Sequence, residues 1–319
     1  TLDINDLEVN NDEAGTTVSL IRGVLRGLKD HGYKIGGFNA YATSDVLVGA
    51  GLSSSAAFEV VVGTIISGLY NDMKINSVEI AQISQYAENV FFKKPCGLMD
   101  QMACSVEGMV NIDFKDPTKP IVKKVPTEFE KYDYSLCIVD TKGDHVDLTD
   151  DYAMIPSEMK KVANFLGEDY LRDCDSNEFY IHLGEIREAV GDRPVLRAIH
   201  FFNEEYNVKN AVSSLENGKF VEFLDAIRKS GNSSFKYLQN VYTTRDIQHQ
   251  NISVALALSE SLLRNYGVCR VHGGGFAGTI QSFVKNEFVS NYKEFINKIF
   301  GENSCHVLKV RKYGGIKVM

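Results

Sequence analysis

Three short segments concentrate residue types suited to phosphate and hydroxyl chemistry. They are Gly49-Ala50-Gly51-Leu52-Ser53-Ser54-Ser55-Ala56-Ala57, then Cys96-Gly97-Leu98-Met99-Asp100-Gln101, then Gly273-Gly274-Gly275-Phe276-Ala277-Gly278. Glycines let a backbone approach a phosphate, the amides of a helix start hold its charge, and a small hydroxyl can reach a metal ion. Glu88 and Asp100 flank Pro95-Cys96-Gly97 and supply an acidic pair. A serine loop, two carboxylates and a second glycine loop suit the binding of nucleotide phosphate, metal and an acceptor hydroxyl, the three elements of phosphoryl transfer.

Each segment also has a plainer reading. A serine after a glycine turn can simply cap a helix by accepting from the orphan amides of its first turn. Asp100 in a first turn is stabilised by the helix dipole whatever its role. Neither GxxxxGK[ST] nor GxGxxG occurs, so a P-loop or a dinucleotide fold has no support. There is no GxSxG elbow to make Ser53 an acyl-transfer nucleophile. His31, His145, His182, His200, His249, His272 and His306 are dispersed without HExxH or paired spacing, which argues against a zinc site. Cys96 beside this segment reads as a small packed residue at a tight turn rather than a reactive thiol.

The elements around these segments follow from periodicity. Residues 17–30 place Val18, Ile21, Val24, Leu25 and Leu28 at helical spacing, closed by His31-Gly32. Residues 37–42 alternate like a strand, 48–52 form a glycine turn, and 53–70 suit a buried helix, giving the order strand, glycine loop, helix. A further helix is expected over 78–92, and strands over 110–114 and 136–140. Residues 116–132, with three prolines and many charges, are the place for a change of layer or domain. Helical patterns follow at 157–166, 177–190, 195–216, 220–231 and 252–266. Strands and helices mixed in both halves predict an α/β or α+β protein of two domains.

The chain has 319 residues, 34 basic and 42 acidic, for a net charge of −8. A hydrophobic share of 44% with 24% charged residues excludes a disordered chain and allows a core. The acidic balance argues against nucleic acid as a partner. The longest apolar stretch, residues 60–69, is far short of the roughly 20 needed for a bilayer span, and no signal peptide pattern opens the chain, so a cytoplasmic protein is expected. The six cysteines lack CxxC pairing and are expected as free thiols. Oligomeric state is not readable.

The three segments resemble the GHMP small-molecule kinases. GAGLSSSAA is similar to their second signature, CGLMDQ to the galactokinase version of the segment holding the catalytic aspartate, and GGGFAG to the third signature, in matching order. RAIH at residues 197–200 is similar to a further galactokinase segment. The resemblance implies an N-terminal domain over 1–130, a C-terminal domain over 131–319 and an active site in the cleft between them. It implies a kinase that forms galactose 1-phosphate from galactose, ATP and Mg²⁺. Gly49, Gly51, Ser53, Ser54 and Ser55 would cradle the ATP phosphates, with Ser55 and Glu88 at the metal. Asp100 would be the catalytic aspartate, and Gly97, Asp100 and Tyr152 would meet the sugar. Gly273, Gly274, Gly275 and Gly278 would support the nucleotide site, with Ala277 replacing a usual glycine. Partners are therefore small molecules, with neither nucleic acid nor membrane.

The family's GRxNLIGEHTDY segment has no match in residues 1–50. That segment supplies an arginine beside the catalytic aspartate and sugar-binding side chains. The expectation is a chain lacking the family's first portion, impaired in catalysis and carrying an unfilled sheet edge. Two alternatives stay open: a non-catalytic protein that senses galactose and ATP, and a kinase for N-acetylgalactosamine.

Overall fold

Thr16 begins the first helix, its Oγ1 accepting from the Ser19 amide, and the α1 helix Thr17–Asp30 buries Leu20, Val24, Leu25 and Leu28 on one face. The computed structural model describes residues 2–44, 46, 53–126, 129–143 and 148–318. The first half continues with α2 (Ser54–Tyr70), α3 (Ser77–Tyr86), a π turn (Ala87–Phe92), α4 (Met99–Ser105), β1 (Met109–Asp113) and β2 (Ile121–Val125). The second half runs β3 (Tyr134–Asp140), α5 (Thr149–Phe165), α6 (Ser176–Ile181), α7 (Leu183–Val190), α8 (Asp192–Glu216), α9 (Phe220–Ser233), α10 (Asn251–Leu262), β4 (Gly267–Val271), β5 (Thr279–Lys285), α11 (Val289–Phe300) and β6 (Cys305–Leu308). Among the described residues no helix is long and apolar enough to cross a membrane. All six cysteines are free thiols.

Two compact units result. One comprises Thr1–Pro126 with Val310–Met319, the other Thr127–Lys309. The sequence reading ran the second domain to residue 319; the last ten residues instead pack with the first unit. Gly108 N donates to Arg311 O at 3.1 Å, and Arg311 Nη2 donates to Cys104 O at 3.3 Å. A Cβ at Gly314 would lie 2.0 Å from Ser105 O, so the tail is glycine there because backbone meets backbone.

In the first unit, Val24, Leu25 and Leu28 of α1 pack with Val60 and Ile66 of α2 and with Ile80 and Ile83 of α3. β1 and β2 form an antiparallel pair from Met109↔Val125 to Asp113↔Ile121. Residues 37–42, expected as a strand, form none: 31–44 carry no strand assignment and Tyr41 is 94% exposed. Alternation alone does not make a strand; a ladder partner does. The expected helix over 78–92 is α3 followed by the π turn, and the glycine turn at 48–52 lies outside the described residues.

In the second unit an antiparallel sheet runs β4-β5-β3-β6. Its core joins Cys137 and Val139 of β3, Ile280 and Val284 of β5, and Tyr292 and Ile296 of α11. A second cluster holds α5, α6, α7 and α8 through Val162, Phe179, Ile186 and Ala198. The motif at 197–200 lies inside this unit: Arg197 is buried and donates to Glu158 Oε2 at 2.8 Å, and His200 Nδ1 lies 2.9 Å from Ser233 Oγ.

A glycine lets α1 approach the π turn closely. A Cβ on Gly23 of α1 would lie 2.7 Å from Ala87 Cβ and 2.8 Å from Ala87 Cα. Gly23→Val should therefore destabilise the protein by about 1–3 kcal/mol, because the π turn's backbone must move to admit the side chain. Urea unfolding checks this, and a variant as stable as the parent would refute it.

Candidate active site

The first turn of α2 begins with an unusual residue. Ser53 sits in the left-handed region at φ 52°, ψ 53°, and its side chain makes no capping bond to the helix. Its hydroxyl donates instead to Asp100 Oδ2. The plain capping reading of the serines thus fails at Ser53, and the first-turn amides of α2 get no cap from it. A non-glycine residue in this conformation costs of order 1 kcal/mol or more, a strain that concentrates at functional sites. Ser54 follows within the first turn. Gly49 and Gly51, the other phosphate-loop candidates, lie outside the described residues.

Ser55, one position further into the helix, donates from Oγ to Glu88 Oε1 at 2.8 Å. Glu88 lies in the π turn and is only 2% exposed. Its Oε1 also accepts from Lys94 Nζ at 3.0 Å, and its Oε2 accepts from Gln101 Nε2 at 2.6 Å and from Cys96 Sγ at 3.4 Å. The π turn is what aims it: the six-residue turn ends at Lys93 in the left-handed region, φ 66°, and Lys94 N donates to Glu88 O at 3.1 Å. Burial and the Glu88 charge push the Cys96 thiol up to about 12, so Cys96 is a neutral packed group, as its position at a turn suggested.

Asp100 is exposed in the first turn of α4, and the segment before it is pinned to the end of α3 and to the π turn. Asn89 Oδ1 accepts from Cys96 N at 2.7 Å, and Gln85 Nε2 donates to Cys96 O at 3.1 Å. Gly97 is exposed, and a Cβ there would meet nothing within 4 Å. The packing of this chain leaves its backbone open to a ligand. The serines, Glu88, Gly97 and Asp100 therefore come from α2, the π turn and the start of α4 within one unit.

The second unit holds the remaining candidates. Gly273, Gly275 and Gly278 take φ of 65°, 81° and 94°, and Phe276 also lies in the left-handed region. A Cβ on Gly275 would fall 1.9 Å from Asn240 O. Asn240 Nδ2 donates to Gly274 O at 3.0 Å, and Thr141 Oγ1 donates to Gly278 O at 2.7 Å. Tyr152 of α5 packs its ring against Gly274 and Phe276, and its hydroxyl donates to Gly275 O at 2.9 Å. Its visible contacts thus hold the glycine loop.

Three side chains of the first-unit site escaped the sequence reading: Glu59, Gln101 and Lys94. Glu59 lies one helical turn after Ser55 on α2, a spacing that puts both on one face and could have pointed to it. It is fully buried, its Oε2 accepts from Gln101 Nε2 at 3.3 Å, and its Oε1 has no partner. Burial pushes its carboxyl up to about 8, helped by the Glu88 charge and opposed by the Gln101 hydrogen bond. Between its ordinary value near 4.5 and 8 the folded state keeps a proton that the unfolded chain releases, so Glu59's contribution to stability falls as pH rises through that window. Glu59→Gln should flatten that fall. Thermal melts of the metal-free protein from pH 5 to 8 check it, and parallel curves for parent and variant would refute the account.

Comparison with known proteins identifies the family. The family model for the GHMP kinases N terminal domain matches residues 19–108, which run from within α1 through α4. A galactokinase of Limosilactobacillus reuteri is 30% identical, with 94% of this chain and 74% of that protein covered. A galactokinase of Streptomyces coelicolor is 29% identical, covering 87% and 68%. A crystal structure of Lactococcus lactis galactokinase complexed with galactose superposes with a TM-score of 0.74 at 20% identity, over 98% of this chain and 79% of that one. Similarity over 94% of this chain at this level, joined to the matching domain and fold, means that the chain belongs to the galactokinase family of GHMP kinases, enzymes that take ATP as substrate.

Proposed function

We propose that this chain transfers the γ-phosphoryl group of ATP to the anomeric hydroxyl of galactose, forming galactose 1-phosphate and ADP. The observation that carries the reading is the pairing of both carboxylates with one serine run: Ser53 donates to Asp100 and Ser55 donates to Glu88. The groups for acceptor and phosphate thereby lie within hydrogen-bond reach of one helix start. A helix N-terminus with free amides favours the phosphate charge. Ser53, Ser54 and Ser55, with Gly49 and Gly51 before them, would hold the phosphates. The second unit would contribute Gly273, Gly274, Gly275 and Gly278 to nucleotide binding.

In the transfer, the bond between the γ-phosphorus and its bridging oxygen breaks as the bond to the sugar oxygen forms, and ADP departs. Asp100 would accept the hydroxyl proton or orient the hydroxyl for attack. Gly97, with its open backbone, and Tyr152 would meet the sugar. The residues present also fit magnesium. Ser55 and Glu88 offer hard oxygens 2.8 Å apart, and a magnesium ion carried by nucleotide phosphates needs only one or two carboxylates. Among the described residues no cage of three or more His, Cys, Asp or Glu side chains exists, in keeping with a metal held chiefly by its nucleotide. Bound there, magnesium would neutralise charge on the β- and γ-phosphate oxygens. A cytoplasmic location belongs to the same reading.

The test is ADP release with Mg-ATP and galactose, N-acetylgalactosamine or no sugar, comparing the parent with Asp100→Asn. Galactose-dependent turnover should fall by about 10²–10⁴-fold in the variant while nucleotide affinity is retained. Undiminished turnover in Asp100→Asn would sink the assignment, and preference for N-acetylgalactosamine would reassign the acceptor. Binding of both ligands without ADP release would instead mark a sensor.

A further inference from the structure

The Glu88 carboxylate already carries a positive partner. Lys94 Nζ lies 3.0 Å from Oε1, the same oxygen that accepts from Ser55. The placement is built by the backbone, because the π turn and the left-handed Lys93 fold the chain back until Lys94 N bonds to Glu88 O. The two ends of the ion pair differ sharply in exposure: the lysine side chain is 61% exposed and the glutamate 3%.

We propose that Lys94 is a tethered, displaceable cation that occupies the Glu88 carboxylate until a divalent metal ion takes its place, and so sets the metal affinity of the site. This rests on the reading of Glu88 as a metal-binding carboxylate. A buried carboxylate without a cation is costly, so the lysine balances it while no metal is there. An ammonium and a divalent cation on one oxygen repel each other, so the lysine weakens the metal's hold until it moves away. Lysine suits the duty because its ammonium is a single point charge on a flexible stem, held without the bidentate grip of an arginine fork. Its exposed stem lets the head swing into water while Glu88 stays in place.

Mn²⁺ is the probe, and free Mn²⁺ is followed by electron paramagnetic resonance as it is titrated into the full chain with a non-hydrolysable ATP analogue. Lys94→Gln and Lys94→Met should bind Mn²⁺ about three- to tenfold more tightly than the parent, the size expected for losing a partly exposed competitor. Lys94→Arg, which keeps a cation, should stay nearer the parent. Unchanged affinity in both neutral variants would overturn the proposal, and weaker binding would overturn it in favour of a lysine that holds the phosphates. Glu88→Gln separates the two readings. If it weakens Mn²⁺ binding while the neutral Lys94 variants do nothing, only the role of Lys94 falls. If it leaves Mn²⁺ binding untouched, the metal assignment falls and the proposal with it. Circular dichroism of each variant confirms folding.

Discussion

A carboxylate removed from water needs hydrogen bonds or a cation on each oxygen, and the first unit is arranged to meet that requirement at Glu88. Four side chains from three elements converge on it: Ser55 from α2, Lys94 and Cys96 from the segment after the π turn, and Gln101 from α4. A regular helix would rotate Glu88 differently, so the i to i+5 turn at Ala87–Phe92 is part of the solution. The close approach of α1 at Gly23 packs against the same turn. Asp100 depends on this network indirectly, since α4 is fixed by Gln101 and by the Asn89 bond to Cys96.

The second unit solves a simpler problem: holding a loop with several left-handed residues in one conformation. It does so with backbone and side-chain bonds from Asn240, Thr141 and Tyr152. In the same unit, the Glu158 carboxylate joins Arg193 and Arg197, tying α5 to α8. The arginine and histidine of the 197–200 motif thus act inside the scaffold.

What was legible in the sequence had local causes. α1 was readable because its apolar spacing and its glycine stop agree, and the serine and aspartate segments were readable because their residue types share one chemistry. β2 was missed because Ile121–Val125 is short and carries two lysines on a largely exposed ribbon. α5 was read only from residue 157 because Pro156 removes a helical donor, yet the helix runs through it from Thr149. Residues 177–190 read as one helix but break at His182 into α6 and α7. Within the site, Glu59 and Lys94 stayed hidden because their roles arise from tertiary contacts: one from burial between helices, the other from a π turn that periodicity cannot separate from an α-helix.

The return of the final ten residues to the first unit makes the second unit an insertion with two covalent crossings. If that insertion were unfolded, seating the tail beside α4 would close a loop of about 180 residues, an entropic cost of about 4–5 kcal/mol before any contact is made. The antiparallel pairing of β3 with β6, which sets Leu136 opposite Leu308, brings the two ends of the insertion together. Folding of the second unit therefore shortens the effective loop that the first must close. The stabilities of the two units are thereby linked through chain connectivity, and a lesion in the β3–β6 ladder would lengthen the loop that the tail must close.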